Sequence, residues 1–291
     1  MISEQKLAID PATTLSGVVN VTVKVSAPIA RVWQSLTDSK VVAQWFGDLS
    51  TDLKSGGGAR LDFGDGDFFD LEAIALLPPN LIEYDWRFLG IGPTDSITWR
   101  VEPTDGGCLV TVRDEQPDRN REAALSLREG WLDFTSRLVA YHATGQNARY
   151  DWRRELDVGL PIKAPAERVW VSLFAPQAQK QWLPFNSSIE TGASAAVADG
   201  AAPEMISFDQ VTWQPTQRAD FQVLSAQWKK PTTCRIELTA RNDDTLVYVS
   251  HNGWEHISDD RSEQLKQRRR FCDLWIESLQ RAALIAQPQL T

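Results

Sequence analysis

Val19, Val21, Val23 and Val25 alternate with polar or small residues, the period of a strand with one buried face. Pro28 then stands where a first helical turn tolerates proline. Ile29, Val32, Trp33 and Leu36 follow at i, i+3, i+4 and i+7, one apolar helical stripe. Asp38 reads as the start of a second short helix that carries Val42 and Trp45 inward. The same pattern returns 137 positions later. Leu156, Val158, Leu160 and Ile162 alternate, Ala166, Val169, Trp170 and Leu173 form the stripe, and Pro176 opens a short helix carrying Ala178 and Trp182. Within the repeat, VSAPIARVWQSLTDSKVVAQWF (Val25–Phe46) answers IKAPAERVWVSLFAPQAQKQWL (Ile162–Leu183). A period this long points to a duplicated domain, because solenoid and propeller repeats have periods of roughly 20–50 residues. The paired tryptophans, Trp33 with Trp45 and Trp170 with Trp182, are expected to anchor these helices to the sheet.

After the helices the first copy breaks into short runs with explicit turns between them, of which the last three alternate cleanly. The runs are Ala59–Phe63, Phe68–Leu77, Leu81–Phe88, Ser96–Glu102 and Cys108–Asp114, separated by glycine, Gly-Asp-Gly, Pro-Pro-Asn and Asp-Gly-Gly turns. This predicts an antiparallel meander. Pro215, Val247 and Val249 keep the register of Pro78, Val110 and Val112, whereas residues 191–202 have lost the apolar pattern and read as a loop. Each copy ends in a long amphipathic helix. Ala124, Leu127, Trp131, Phe134, Leu138 and Tyr141 mark the first, with Gly145 as its C-cap. Leu265, Cys272, Trp275, Leu279 and Ala282 mark the second, with Ser258 or Asp259 as its N-cap, and matching Trp131 to Cys272 requires about one inserted turn. The expected domains are residues 1–146 and 147–291, joined by a short linker and packed together.

The order strand, two helices, meander, long helix, with A-P-x-x-x-V-W-x-x-L followed by a tryptophan, resembles the START/SRPBCC superfamily. Within it the chain is similar to the C-terminal domain family of the heat-shock chaperone ATPase activator. Pro28, Val32, Trp33, Leu36, Trp45 and Phe46 carry the resemblance in the first copy, and Pro165, Val169, Trp170, Leu173 and Trp182 in the second. His251-Asn252-Gly253-Trp254 and Gly130-Trp131 add to it. The resemblance implies an α+β fold of two tandem helix-grip domains, each a curved antiparallel sheet wrapped around the long helix, often with a cavity between them. It marks fold better than activity, since the superfamily hosts carriers, cyclases, sequestering proteins and co-chaperones.

Alternation puts Tyr84, Trp86, Phe88, Trp99, Val101, Val110 and Val112 on the helix-facing side of the first sheet, with Trp131 and Phe134 opposite. In the second sheet it puts Phe221, Val223, Ile236, Leu238, Val247 and Val249 there, with Trp275 opposite. These residues either fill the core or wall a cavity for a small hydrophobic or aromatic molecule. The smaller side chains of the second copy favour it as the open one. Asp114 and His251 continue the inward alternation at equivalent positions, as candidate acid or base groups near a cavity mouth or as caps ending the last strand.

Composition narrows the alternatives. The 291 residues carry 30 basic and 39 acidic side chains, a net charge of −9, which argues against a nucleic-acid or anionic-membrane binder. No signal segment or membrane-length apolar run is evident, and a cytoplasmic location is expected. Cys108, Cys234 and Cys272 lack metal or redox spacing and read as reduced, buried thiols. His251 and His256 lack a third ligand, so no metal and no cofactor is expected. Asp62, Asp65, Asp67 and Asp70 miss the calcium-loop pattern and read as a solvated turn. Lys266, Arg268, Arg269 and Arg270 read as the solvent face of the last helix or as a patch for a protein partner. Three functions remain open: binding of a small hydrophobic molecule, a chaperone-activator-like interaction module that includes a homodimer, and a cofactor-independent cyclase or dehydratase.

Overall fold

A computed structural model describes residues 17–117, 119–182, 195–197 and 204–287. The chain divides into two compact units. One takes the residues up to Phe63 together with Phe68–Arg87 and Thr94–Asp151, and the other takes Gly64–Asp67, Phe88–Pro93 and the chain from Trp152 onward. Each unit holds one antiparallel sheet and one long helix.

In the first, β1 (Val18–Val25) leads into α1 (Ile29–Thr37) and α2 (Ser39–Val42). Asp38 caps α2 by accepting from the Lys40 and Val41 amides, as its position predicts. The strands β2 (Asp48–Leu49), β3 (Ala59–Asp62), β4 (Phe68–Leu77), β5 (Leu81–Phe88), β6 (Thr94–Thr104) and β7 (Gly107–Glu115) follow, then α3 (Arg121–Thr144). The spatial order is β1-β7-β6-β5-β4-β3-β2, so the meander closes by laying its last strand against its first. Alternation marks β1, β5, β6 and β7, and the turns around them mark β3 and β4; only β2, with two residues, goes unmarked. Gly145 ends α3 in the left-handed region at φ 68°, its amide donating to the Tyr141 carbonyl.

The second unit repeats the order: β8 (Leu156–Ile162), α4 (Ala166–Phe174), α5 (Pro176–Trp182), β9 (Ala195–Val197), β10 (Glu204–Gln214), β11 (Arg218–Ser225), β12 (Thr232–Ala240), β13 (Thr245–Asn252) and α6 (Arg261–Ala286). Its sheet runs β8-β13-β12-β11-β10-β9. The molecule is thus α+β, a pair of helix-grip domains. The described part of the predicted 191–202 loop is instead strand β9, paired with β10, and the rest lies outside the described residues, as does the Trp182 side chain. The cap of α6 is Asp260, which accepts from the Ser262 amide, while Ser258 instead accepts from the amide of Asp260.

Two charge readings are corrected. Asp65 and Asp67 are 0% and 2% exposed, so their turn is not solvated. Arg268 is also fully buried rather than on a solvent face. Within the second unit its guanidinium donates to both Asp67 oxygens at 2.9 Å and to the Asp65 carbonyl at 2.7 Å. A paired, hydrogen-bonded charge can be buried where a lone one cannot. Burial raises the Asp67 pKa to about 6, opposed by the Arg268 and Arg153 charges.

Trp45 is fully buried and its indole donates to the Ser35 carbonyl at 2.7 Å, whereas Trp33 is half-buried at the core margin. Trp170 lies 8% exposed against Phe174 and Trp213. Trp45→Ala is therefore expected to cost about 3–5 kcal/mol, as deletions of buried aromatics do, and Trp33→Ala clearly less. Urea denaturation of the two variants checks this, and equal losses would show that Trp33 bears as much of the packing.

Candidate functional site

The long helix of each unit brings a tryptophan to the end of the last strand. In the first unit Trp131 Nε1 donates to Asp114 Oδ2 at 2.8 Å, and Arg119 donates to Asp114 Oδ1 at 2.6 Å. In the second, Trp275 Nε1 donates to His251 Nδ1 at 3.1 Å. That bond leaves the His251 proton on Nε2, which donates to Thr232 Oγ1 at 2.7 Å; the Thr232 hydroxyl in turn faces the Val223 carbonyl at 3.4 Å. Burial drives the His251 pKa down to about 3, so the ring is neutral. Both carboxylate oxygens of Asp114 and both ring nitrogens of His251 are therefore engaged by protein groups. The tryptophan role falls on Trp275, one helical turn beyond the Cys272 that the sequence alignment matches to Trp131.

Asp114 is one of a pair of carboxyls. Asp95, at the start of β6 in register with Trp86, lies 3.2 Å from the same Arg119 guanidinium. Burial, reinforced by the neighbouring Asp114 charge and opposed by Arg119, lifts Asp95 to about 7. Burial also raises Asp114, against the pull of Arg119 and of the Trp131 hydrogen bond. Sequence reading misses Asp95 because it continues the inward alternation of Ile97, Trp99 and Val101 one residue before the run that the sequence marks, and Arg119 because it follows the last strand; only folding sets them beside Asp114.

The predicted aromatic residues of the first unit do come together. Trp86 is sandwiched between Phe69 at 3.8 Å and Trp131 at 5.1 Å, with near-parallel planes. Trp99 meets Trp131 edge-on at 5.4 Å, and its indole donates to Tyr84 Oη at 2.9 Å. Phe134 packs on Phe46 and Phe63, two rings that the inward alternation of the later strands does not reach. Val112 is buried beneath this layer. Phe88, half-buried at the end of β5, is grouped with the second unit. A void of about 20 Å³ lies among Trp45, Phe46, Tyr84, Trp99 and the neighbouring leucines, room for about one water. In the second unit Phe221, Val223, Ile236, Leu238, Val249 and Trp275 are all buried, with Phe208 set edge-on to both Phe221 and Trp275. A larger hollow, about 460 Å³, opens on the opposite face of that sheet.

Cys108, Cys234 and Cys272 are buried free thiols. No group of three or more metal-binding side chains occurs among the described residues. No helix among them is long and apolar enough to cross a membrane.

Sheet, long helix and aromatic layer together define a helix-grip protein of the SRPBCC type. Residues 26–143 match the family model for Activator of Hsp90 ATPase homolog 1-like protein. The crystal structure of DynU16, a protein in the dynemicin biosynthetic locus, is 31% identical with a TM-score of 0.83, over 93% of this chain and 99% of that one. At that identity and coverage the chain belongs to the same family as DynU16. CalU16 from Micromonospora echinospora is 20% identical over 44% of this chain and 77% of its own, with a TM-score of 0.37. MLL2253 from Mesorhizobium loti is 22% identical over 42% and 94%, with a TM-score of 0.39. No curated protein matches.

Trp131→Phe and Trp275→Phe each delete one indole donor and strand its buried acceptor. Beyond the smaller ring, each is expected to cost about 1–3 kcal/mol, and more at Trp131, whose partner is a carboxylate. Denaturant titration measures both, and losses within about 0.5 kcal/mol, as at ordinary surface positions, would refute the role. For Asp95 the sign follows from its raised pKa. Between about pH 4, where the unfolded chain releases this proton, and about pH 7 the native state still holds it, so its contribution to stability falls as pH rises. The stability of the parent relative to Asp95→Asn should therefore decline across that window. Parallel pH profiles in denaturation experiments would overturn this.

Proposed function

We propose that the first unit binds a flat, largely apolar aromatic molecule between its sheet and its long helix, and that the protein carries or sequesters that molecule. The observation that carries this reading is the continuous aromatic layer. It runs from buried Trp86, Trp99 and Trp131 to half-buried Phe69, Phe134 and Tyr150, with rings stacked or edge-on at each step. Aromatic ligands pair with such rings by the same offset and edge-on geometries. The Tyr84 hydroxyl and Trp99 indole supply a polar handle at the void. Because the void holds about one water, the ligand must enter by displacing the half-buried rings at the margin. Family membership beside DynU16, a protein of a biosynthetic locus, also supports a small-molecule partner. On this reading the two domains expected from the sequence, residues 1–146 and 147–291, arose by duplication, and the protein works in the cytoplasm. The second reading, a protein-interaction module, rests on the description of the matched family.

Titration of the intact protein with aminoanthracene tests the proposal. Saturable quenching of tryptophan emission is expected, with stabilisation of about 2.7 kcal/mol at a hundred times the dissociation constant. Phe134→Ala should alter that constant by opening the margin. Absence of both quenching and stabilisation would sink the proposal and leave the interaction module as the better reading.

A further inference from the structure

The outer face of the second sheet carries a feature the aromatic layer does not use. Two neighbouring rows cross its strands in register. Thr212 on β10, Asp220 on β11, Arg235 on β12 and Ser250 on β13 form one; Gln222, Thr233 and Asn252 form the next. The hollow of about 460 Å³ lies over both rows and is walled also by Arg218 and Val211. Its size falls in the usual range of small-molecule sites. The register of β10 against β11 shifts between Gln210 and Thr212, a bulge that bends an edge-side strand and re-aims its side chains at this wall.

The polar groups are held in place before any ligand arrives. Arg218 Nε donates to both Asp220 oxygens, at 3.0 and 2.8 Å, and Arg235 Nε donates to Asp220 Oδ1 at 2.9 Å. One carboxylate thus clamps two guanidiniums, which leaves +1 among the lining residues, with Glu237 just beyond them 4.0 Å from Arg235. Arg235 remains 46% exposed. Across the hollow the Asn252 amide donates to Ser250 Oγ at 3.1 Å, while its buried Oδ1 has no hydrogen-bond partner among the described residues. A modest rotation of that side chain would offer the acceptor to a ligand hydroxyl.

We propose that this hollow binds a small hydroxylated molecule bearing one oxyanionic group, a carboxylate or a phosphate. The clamped Arg218 and Arg235 take the anion, since a pre-positioned guanidinium matches both groups by charge-assisted hydrogen bonds. Gln222, Thr233, Ser250 and Asn252 each present donor and acceptor capacity, which suits adjacent hydroxyls. The site is independent of the aromatic layer, because its polar residues lie on the outer face of the second sheet and the layer belongs to the first unit.

Isothermal titration calorimetry of the full chain with glucuronate, glycerophosphate and glucose tests it, and the preferred anion identifies the group recognised. Saturable binding of at least one anion is expected at a dissociation constant of about 1 mM or tighter, with glucose weaker. Arg235→Gln should weaken the anion about tenfold with its thermal melt unchanged. Thr233→Val, which leaves the Asp220 clamp intact, should weaken it as well and serves if loss of the arginine disturbs the sheet. No binding by either anion, glucose binding equally well, or an unchanged constant in both variants would overturn the proposal.

Discussion

The angle at which each long helix lies on its sheet is fixed by one buried hydrogen bond, an indole N–H from the helix to a polar side chain at the end of the last strand. Apolar contacts alone would let a helix slide or roll on a curved sheet, because burial is non-directional. A donor and an acceptor that would each be stranded by such a slip remove that freedom. In the first unit the pair is Trp131 and Asp114, in the second Trp275 and His251. Trp86 can stack on Trp131, and Phe208 can meet Trp275 edge-on, only because those indoles are already oriented. The aromatic layer thus inherits its geometry from the polar pair.

The choice of acceptor then determines what surrounds it. An aspartate at this depth needs a counter-charge, and Arg119 provides it; Arg119 also reaches the Gly17 and Asp114 carbonyls and draws in Asp95. A histidine needs none while it stays neutral, and Thr232 with the Val223 carbonyl completes its bonding. The first unit therefore carries a titrating cluster at the strand end where the second carries an uncharged chain of hydrogen bonds. The two positions share the mechanical task and differ in charge.

Much of this fold was legible in the residues. Alternation of Val19 to Val25 or of Cys108 to Asp114 reports a strand with one wet face, and the turns between runs have residues suited to tight reversals. The exceptions share a cause. Arg268, Asp65 and Asp67 carry charge, and charge by itself says water; their burial depends on one another across about two hundred positions, a relation no local pattern encodes. Asp260 caps α6 although two neighbouring residues offer the same chemistry, because backbone geometry rather than residue type selects among them.

The candidate sites were legible to different degrees for the same reason. Inward alternation gathers Tyr84, Trp86 and Trp99 on one face of the sheet and helical spacing brings Trp131 opposite them, yet period alone cannot say whether facing rings leave a cavity or close on each other. That depends on a separation of a few ångströms between sheet and helix, which the indole bond sets. The hollow over Asp220 and Arg235 has the opposite character. Its residues are the polar half of the alternation, the half ordinarily assigned to solvent, and its shape comes from a bulge at Val211 that breaks the period. A face becomes a site when its side chains are clamped before a ligand arrives, and the bidentate grip of Arg218 on Asp220, with Arg235 on the same carboxylate, does this at the sheet surface.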